Sequence, residues 1–202
     1  MSTRSVAQHR QTAEPAGVEG NEKLTAMTGA ILLAGFAVEG FTVLEVRRLL
    51  VLHIVVGALL IGPVVLKIAS TVYRFAHYYS GAAPYVRKGP PAPLLRVLGP
   101  LVILTSVAVL GTGIMLAVVG PGAGPWLLLH KATFILWFGV MTIHVLNYAP
   151  RLPRLLAPRP AGRAGPVPGA SMRWLGLAAS LAIGIGVAAV TMQLSAKWGV
   201  SL

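Results

Sequence analysis

Three histidines and one lysine stand out because they lie in runs that are otherwise strongly apolar. His130 and His144 fall in LHKATFILWFGVMTIHVLNY, residues 129–148, and His53 and Lys67 fall in LHIVVGALLIGPVVLKIASTVYR, residues 52–74. Both runs begin Leu-His, and in both a second nitrogen-bearing side chain follows fourteen residues after the histidine. Fourteen residues of α-helix end about 40° short of four full turns and about 21 Å further along the axis, so each pair shares a face near opposite ends of its helix. Trp137 sits midway between His130 and His144 on that face. An imidazole can bind a metal through one ring nitrogen while a hydrogen bond orients the other. Ionisable groups inside apolar helices are costly and mark a pathway, a cofactor or a buried partner.

The elements that must position these side chains are membrane helices. Hydrophobic residues make up 55% of the 202 and charged residues 11%, the composition of an integral membrane protein. Five runs are long enough to span a bilayer core as helices of about 20 residues: 24–44, 49–73, 97–119, 126–148 and 174–195. Backbone polar groups in lipid must be satisfied within each span, so the expected fold is all-α: a four-helix core plus one additional transmembrane helix, forming one domain over 24–195. Residues 1–23 read as a polar cytoplasmic tail and 196–202 as a short extracytoplasmic one. The first 23 residues mix Glu14, Glu19 and Glu22 with Arg4, Arg10 and Lys23, unlike a cleavable signal peptide, so span 1 is expected to stay in the mature chain. With five spans, the amino terminus and the loops after spans 2 and 4 share one side. That side carries twelve Lys/Arg, against Arg47, Arg48, Lys131 and Lys197 opposite and Lys67 within the membrane. The imbalance places the amino terminus in the cytoplasm and the carboxyl terminus outside a cell membrane.

Spans 2 and 4 then run in the same direction, and His53 and His130 each lie a few residues in from the outer surface. Two histidines at equal depth on parallel helices can face each other across a bundle and bind one haem iron from both sides, as in b-type cytochromes. In this respect the chain resembles the membrane cytochrome b subunits of bacterial nickel–iron hydrogenases and formate dehydrogenases. The resemblance covers about residues 45–150 and rests on His53, His130 and His144, with Gly57, Gly111 and Gly113 as close-approach points for a flat macrocycle. It implies b-type haem, one at the outer side and a second further in, a quinone site and a redox partner protein. The chain would be the cytochrome subunit of a membrane oxidoreductase.

The departure from that pattern is Lys67, which stands where a fourth histidine would ligate the inner haem. Lys67 is a ligand of a second site or the partner of Glu39; the reading followed here is a Glu39–Lys67 ion pair, since buried charges need partners. His77 is the other candidate to join His144, but it lies twenty-four residues after His53, about 36 Å along a straight helix against about 21 Å for His144. Gly62-Pro63 could bend span 2 without closing that gap. As an interfacial residue beside Tyr78 and Tyr79, His77 belongs to an aromatic belt. Trp137 is read as core filling, and Arg47, Arg48 and Lys131 as flanking residues or partners for haem propionates.

Other classes are set aside by what the chain lacks. It has no cysteine, so disulfides, thiolate metal sites and c-type haem attachment are excluded. The net charge of +12 follows membrane topology and implies no nucleic acid. No nucleotide-binding, zinc-protease or serine-hydrolase motif occurs. Ser180, Gly184 and Ala188 in span 5 form a small-residue face suited to helix packing or to a homo- or hetero-oligomer. The competing function is a non-haem anchor or small transporter, with Glu39, Lys67 and His144 as an intramembrane polar network.

Overall fold

The structure, a computed structural model, describes residues 16–90, 93–120, 122, 124–157 and 167–199. His9 and residues 158–166 of the arginine-rich loop after the fourth span lie outside the described residues. Among the described residues every regular element is helical, and five helices are long and apolar enough to cross a membrane. These are α1 (Ala16–Leu44), α2 (Leu50–Tyr79), α4 (Pro93–Val119), α5 (Pro125–Tyr148) and α7 (Ala170–Leu194), with short helices α3 (Ala83–Lys88) and α6 (Leu152–Leu156) at one end. The chain is a multi-pass membrane protein. Its two ends are called here the α3 end and the opposite end.

The helices exceed the spans expected from hydropathy, and α1 most of all. Residues 16–23, expected in a polar tail, continue the helix because their polar side chains find partners on α2 and α3. Glu22 accepts from Arg74 Nη1 at 2.9 Å and from Lys88 Nζ at 2.5 Å, and Asn21 donates to the Ser70 carbonyl at 3.0 Å. Tertiary contacts of this kind sustain helix beyond what propensity provides. Within the spans, hydroxyls fold back onto their own helix, as where Thr105 and Thr142 each donate to the carbonyl four residues earlier at 2.7 Å. That removes an unpaired donor from an apolar setting.

The tightest helix contact joins α2 to α7 and is made by backbone. Ser180, Gly184 and Ala188 are buried, and a Cβ on Gly62 would collide with the Ser180 carbonyl and the Gly184 nitrogen. A Cβ on Gly184 would collide in turn with the Leu59 carbonyl. That carbonyl would ordinarily accept the N–H four residues later, which Pro63 does not have. Gly62-Pro63 therefore does not break α2, which runs unbroken through it; it makes a seat where α7 covers the freed carbonyl. The small-residue face of α7 packs inside the chain against α2, the first of the two roles its spacing suggested. The large side chains elsewhere on α7, among them Trp174, Leu175, Ile183 and Val190, are exposed, as a lipid-facing surface requires.

Candidate functional site

α1 packs against α2, and α5 packs chiefly on α4. α2 and α5 therefore meet through side chains, and the histidines are among those that reach across. The ring centres of His53 and His130 lie 6.3 Å apart, with the planes at 67°. Equal depth on parallel helices does bring these two rings together, edge-on.

Each ring is held by its Nδ1. His53 Nδ1 is 3.0 Å from Glu39 Oε1 and 3.1 Å from Thr42 Oγ1. His130 Nδ1 is 3.1 Å from Thr112 Oγ1. The Thr112 hydroxyl donates to the Ala108 carbonyl at 2.7 Å, so it accepts from the imidazole. The Glu39 carboxylate can only accept. Both rings are thus assigned as Nδ1–H tautomers, each keeping the Nε2 lone pair for a ligand. A metal–imidazole bond is about 2 Å and the ring centre lies about 1 Å beyond the nitrogen, so two rings on opposite sides of one ion have centres about 6 Å apart. At this ring separation His53 and His130 could together hold a metal that takes imidazole nitrogens. A carboxylate behind a ligating histidine also fixes its orientation and raises its basicity.

Two of the glycines expected to admit a macrocycle serve the polar side chains instead. A Cβ on Gly57 would lie 3.0 Å from Glu39 Oε1, and one on Gly113 would lie 3.1 Å from His130 Cε1. Only at Gly111 would a Cβ meet nothing within 4 Å. Arg47, Arg48 and Lys131 are exposed at this end of the bundle.

The expected Glu39–Lys67 pair is not formed. Glu39 is five residues from the end of α1 and belongs to the His53 level, whereas Lys67 is seventeen residues into α2, about 25 Å along it. The Lys67 ammonium donates to the Thr25 carbonyl at 2.6 Å, and a Cβ on Gly29 would stand 3.0 Å from it. The Glu39/Lys67/His144 network is thereby divided into two separate groups.

Lys67 and His144 do share a setting, a cavity of about 500 Å³ that extends toward the α3 end between α1, α2, α4 and α5 and does not include His53 or His130. No protein-family model matches this chain, and no curated protein or solved structure matches it.

His77 does not join His144. Its Nδ1 pairs with the Tyr73 carbonyl at 2.9 Å, and its ring packs 3.9 Å from that of Tyr73 and 5.1 Å from that of Tyr85, as an interfacial aromatic cluster would. His144 instead lies against the Tyr148 ring at 4.7 Å. Trp137 is the one buried residue among the described residues of α5; it donates to Ser106 Oγ at 3.0 Å and meets Phe36 edge-on at 4.8 Å. Sequence reasoning missed Thr42, Thr112 and the role of Glu39. The available signal was depth: Glu39 precedes the α1–α2 turn by about as much as His53 follows it.

Proposed function

We propose that this chain is a membrane electron-transfer protein in which His53 and His130 would hold one b-type haem between α2 and α5. The observation that carries the reading is the opposed pair of imidazoles, 6.3 Å apart, each tied through Nδ1. The haem, when bound, supplies a one-electron couple. The chain's own part is positional and electrostatic. Glu39 and Thr42 hold the His53 ring, Thr112 holds the His130 ring, and the surrounding apolar helices keep water away. Glu39 also places a negative charge beside one ligand, which favours the more positively charged state of a bound metal.

The resemblance to cytochrome b subunits belongs to this proposal, with a quinol or a partner redox protein as donor or acceptor. At the level where such subunits carry a second haem this chain has Lys67, whose ammonium is engaged by the Thr25 carbonyl. We assign one haem rather than two. The positive-inside rule puts the α3 end in the cytoplasm and the His53–His130 pair toward the outer face.

An absorbance spectrum of the detergent-purified protein, expressed with ample haem, tests the reading. A Soret band with low-spin α and β bands on reduction is expected at one haem per chain. His53→Ala and His130→Ala should each abolish the low-spin spectrum, while His77→Ala keeps it. Folded wild-type protein without Soret absorption would overturn the proposal in favour of a non-haem anchor or transporter.

A further inference from the structure

The cavity at the α3 end is chemically divided. Its deep wall is apolar, with Leu32, Leu33, Phe36, Val64 and Ile103. Its polar side carries Lys67 and Arg74 from α2, and His144 and Arg151 from α5 and the turn that follows it. Each pair is separated by seven residues, about two turns and about 10 Å of helix, so both arginines stand above the deeper groups toward the mouth.

Among the described residues the charges along this cavity do not cancel. Glu22 is the one carboxylate among the described lining residues, and it already accepts from Arg74 and Lys88. Arg151 lies over the Tyr148 ring at 5.9 Å. Lys67 forms no ion pair with any described carboxylate; the hydrogen bond it makes is to a neutral carbonyl. A cation two turns inside a membrane bundle is costly without an anion, and Glu39, at the far end, is engaged by His53.

We infer that this cavity binds an anionic amphiphile, a carboxylate or phosphate head group drawn to Lys67 and Arg151 with its acyl chain against the apolar wall. A cavity of about 500 Å³ lies within the size range of small-molecule sites, about 300–1,000 Å³. An apolar wall with a few convergent polar groups suits a molecule that is oily at one end and charged at the other. His144, with one ring nitrogen able to donate, can add a hydrogen bond to the head group. Gly29 leaves the room that the ammonium occupies. The site does not depend on haem, because neither His53 nor His130 lines it.

Native mass spectrometry of the full chain released from a neutral detergent tests this. Oleate and dioleoyl phosphatidate separate the two head-group sources, methyl oleate removes the charge, and inorganic phosphate removes the chain. One oleate or one phosphatidate per protein is the expected result, with no retention of methyl oleate and no competition from millimolar phosphate. Lys67→Met should weaken that retention by about thirtyfold or more, as removing one partner of a buried charge pair does. Lys67→Arg, which keeps the charge, should restore most of it and so separates a lost anion site from a lost fold. Equal retention of methyl oleate, or unchanged retention in Lys67→Met, would overturn the inference.

Discussion

Glu39 is the residue whose role changes most once its depth is known. Pairing it with Lys67 follows the rule that buried opposite charges seek each other, but that rule ignores where along the bilayer each charge lies. His53 and His130 were legible in the sequence because equal distance from a span end is a statement about depth. Glu39 was not, since it is a lone carboxylate with no counterpart at matching depth in another span, and the threonines were hidden among many that merely bond their own helix. The Glu39–His53 contact of 3.0 Å makes a specific demand on the proposed haem. Glu39→Gln retains a hydrogen-bonding side chain at that position and removes its negative charge, so it should raise the midpoint potential. A tenfold shift in the relative stability of the two redox states corresponds to about 60 mV for one electron, which is the size expected in a potentiometric titration. A potential unchanged within a few millivolts would show that Glu39 does not act on the metal through His53.

The number and order of the helices were readable from apolar runs, whereas their lengths and contacts were not. α1 starts within a polar stretch because Asn21 and Glu22 bond across to α2 and α3, and hydropathy carries no record of such partners. Gly62-Pro63 looks in sequence like a hinge; in the structure it is a contact surface, because the Pro63 ring silences one donor and α7 covers the acceptor left behind. The glycines of α7 accordingly differ. A Cβ on Gly184 would collide with the Leu59 carbonyl, while one on Gly186 would meet nothing within 4 Å. Gly184→Val and Gly62→Val should each destabilise the protein by about 1–3 kcal/mol or more, the usual cost of overpacking a tight interface. Gly186→Val should change stability by less than about 0.5 kcal/mol. Reversible denaturation in detergent, followed by circular dichroism, measures all three, and equal losses would show that the α2–α7 seat is not where the bundle is held.

At the scale of the whole molecule, chemistry is divided between two levels: imidazoles backed by a carboxylate near one end, and a lysine in a cationic cavity toward the other. Among the described residues eight Lys/Arg lie toward the α3 end, against Arg47, Arg48, Lys131 and Lys197 toward the other, so reporter fusions within 155–168 should be active only as cytoplasmic reporters and fusions after Leu202 only as exported ones. A cytoplasm-only reporter active after Leu202 would contradict the five-span orientation. The contact between Gly62 and Gly184 also has a meaning in time. α7 is synthesised after α2, with two other spans made between them. Until residue 184 arrives, the carbonyl left without its donor by Pro63 lacks the cover that α7 gives it in the folded chain. A chain truncated before α7 is therefore expected to keep four spans with the Leu59 carbonyl uncovered, and to be less stable than one that carries α7.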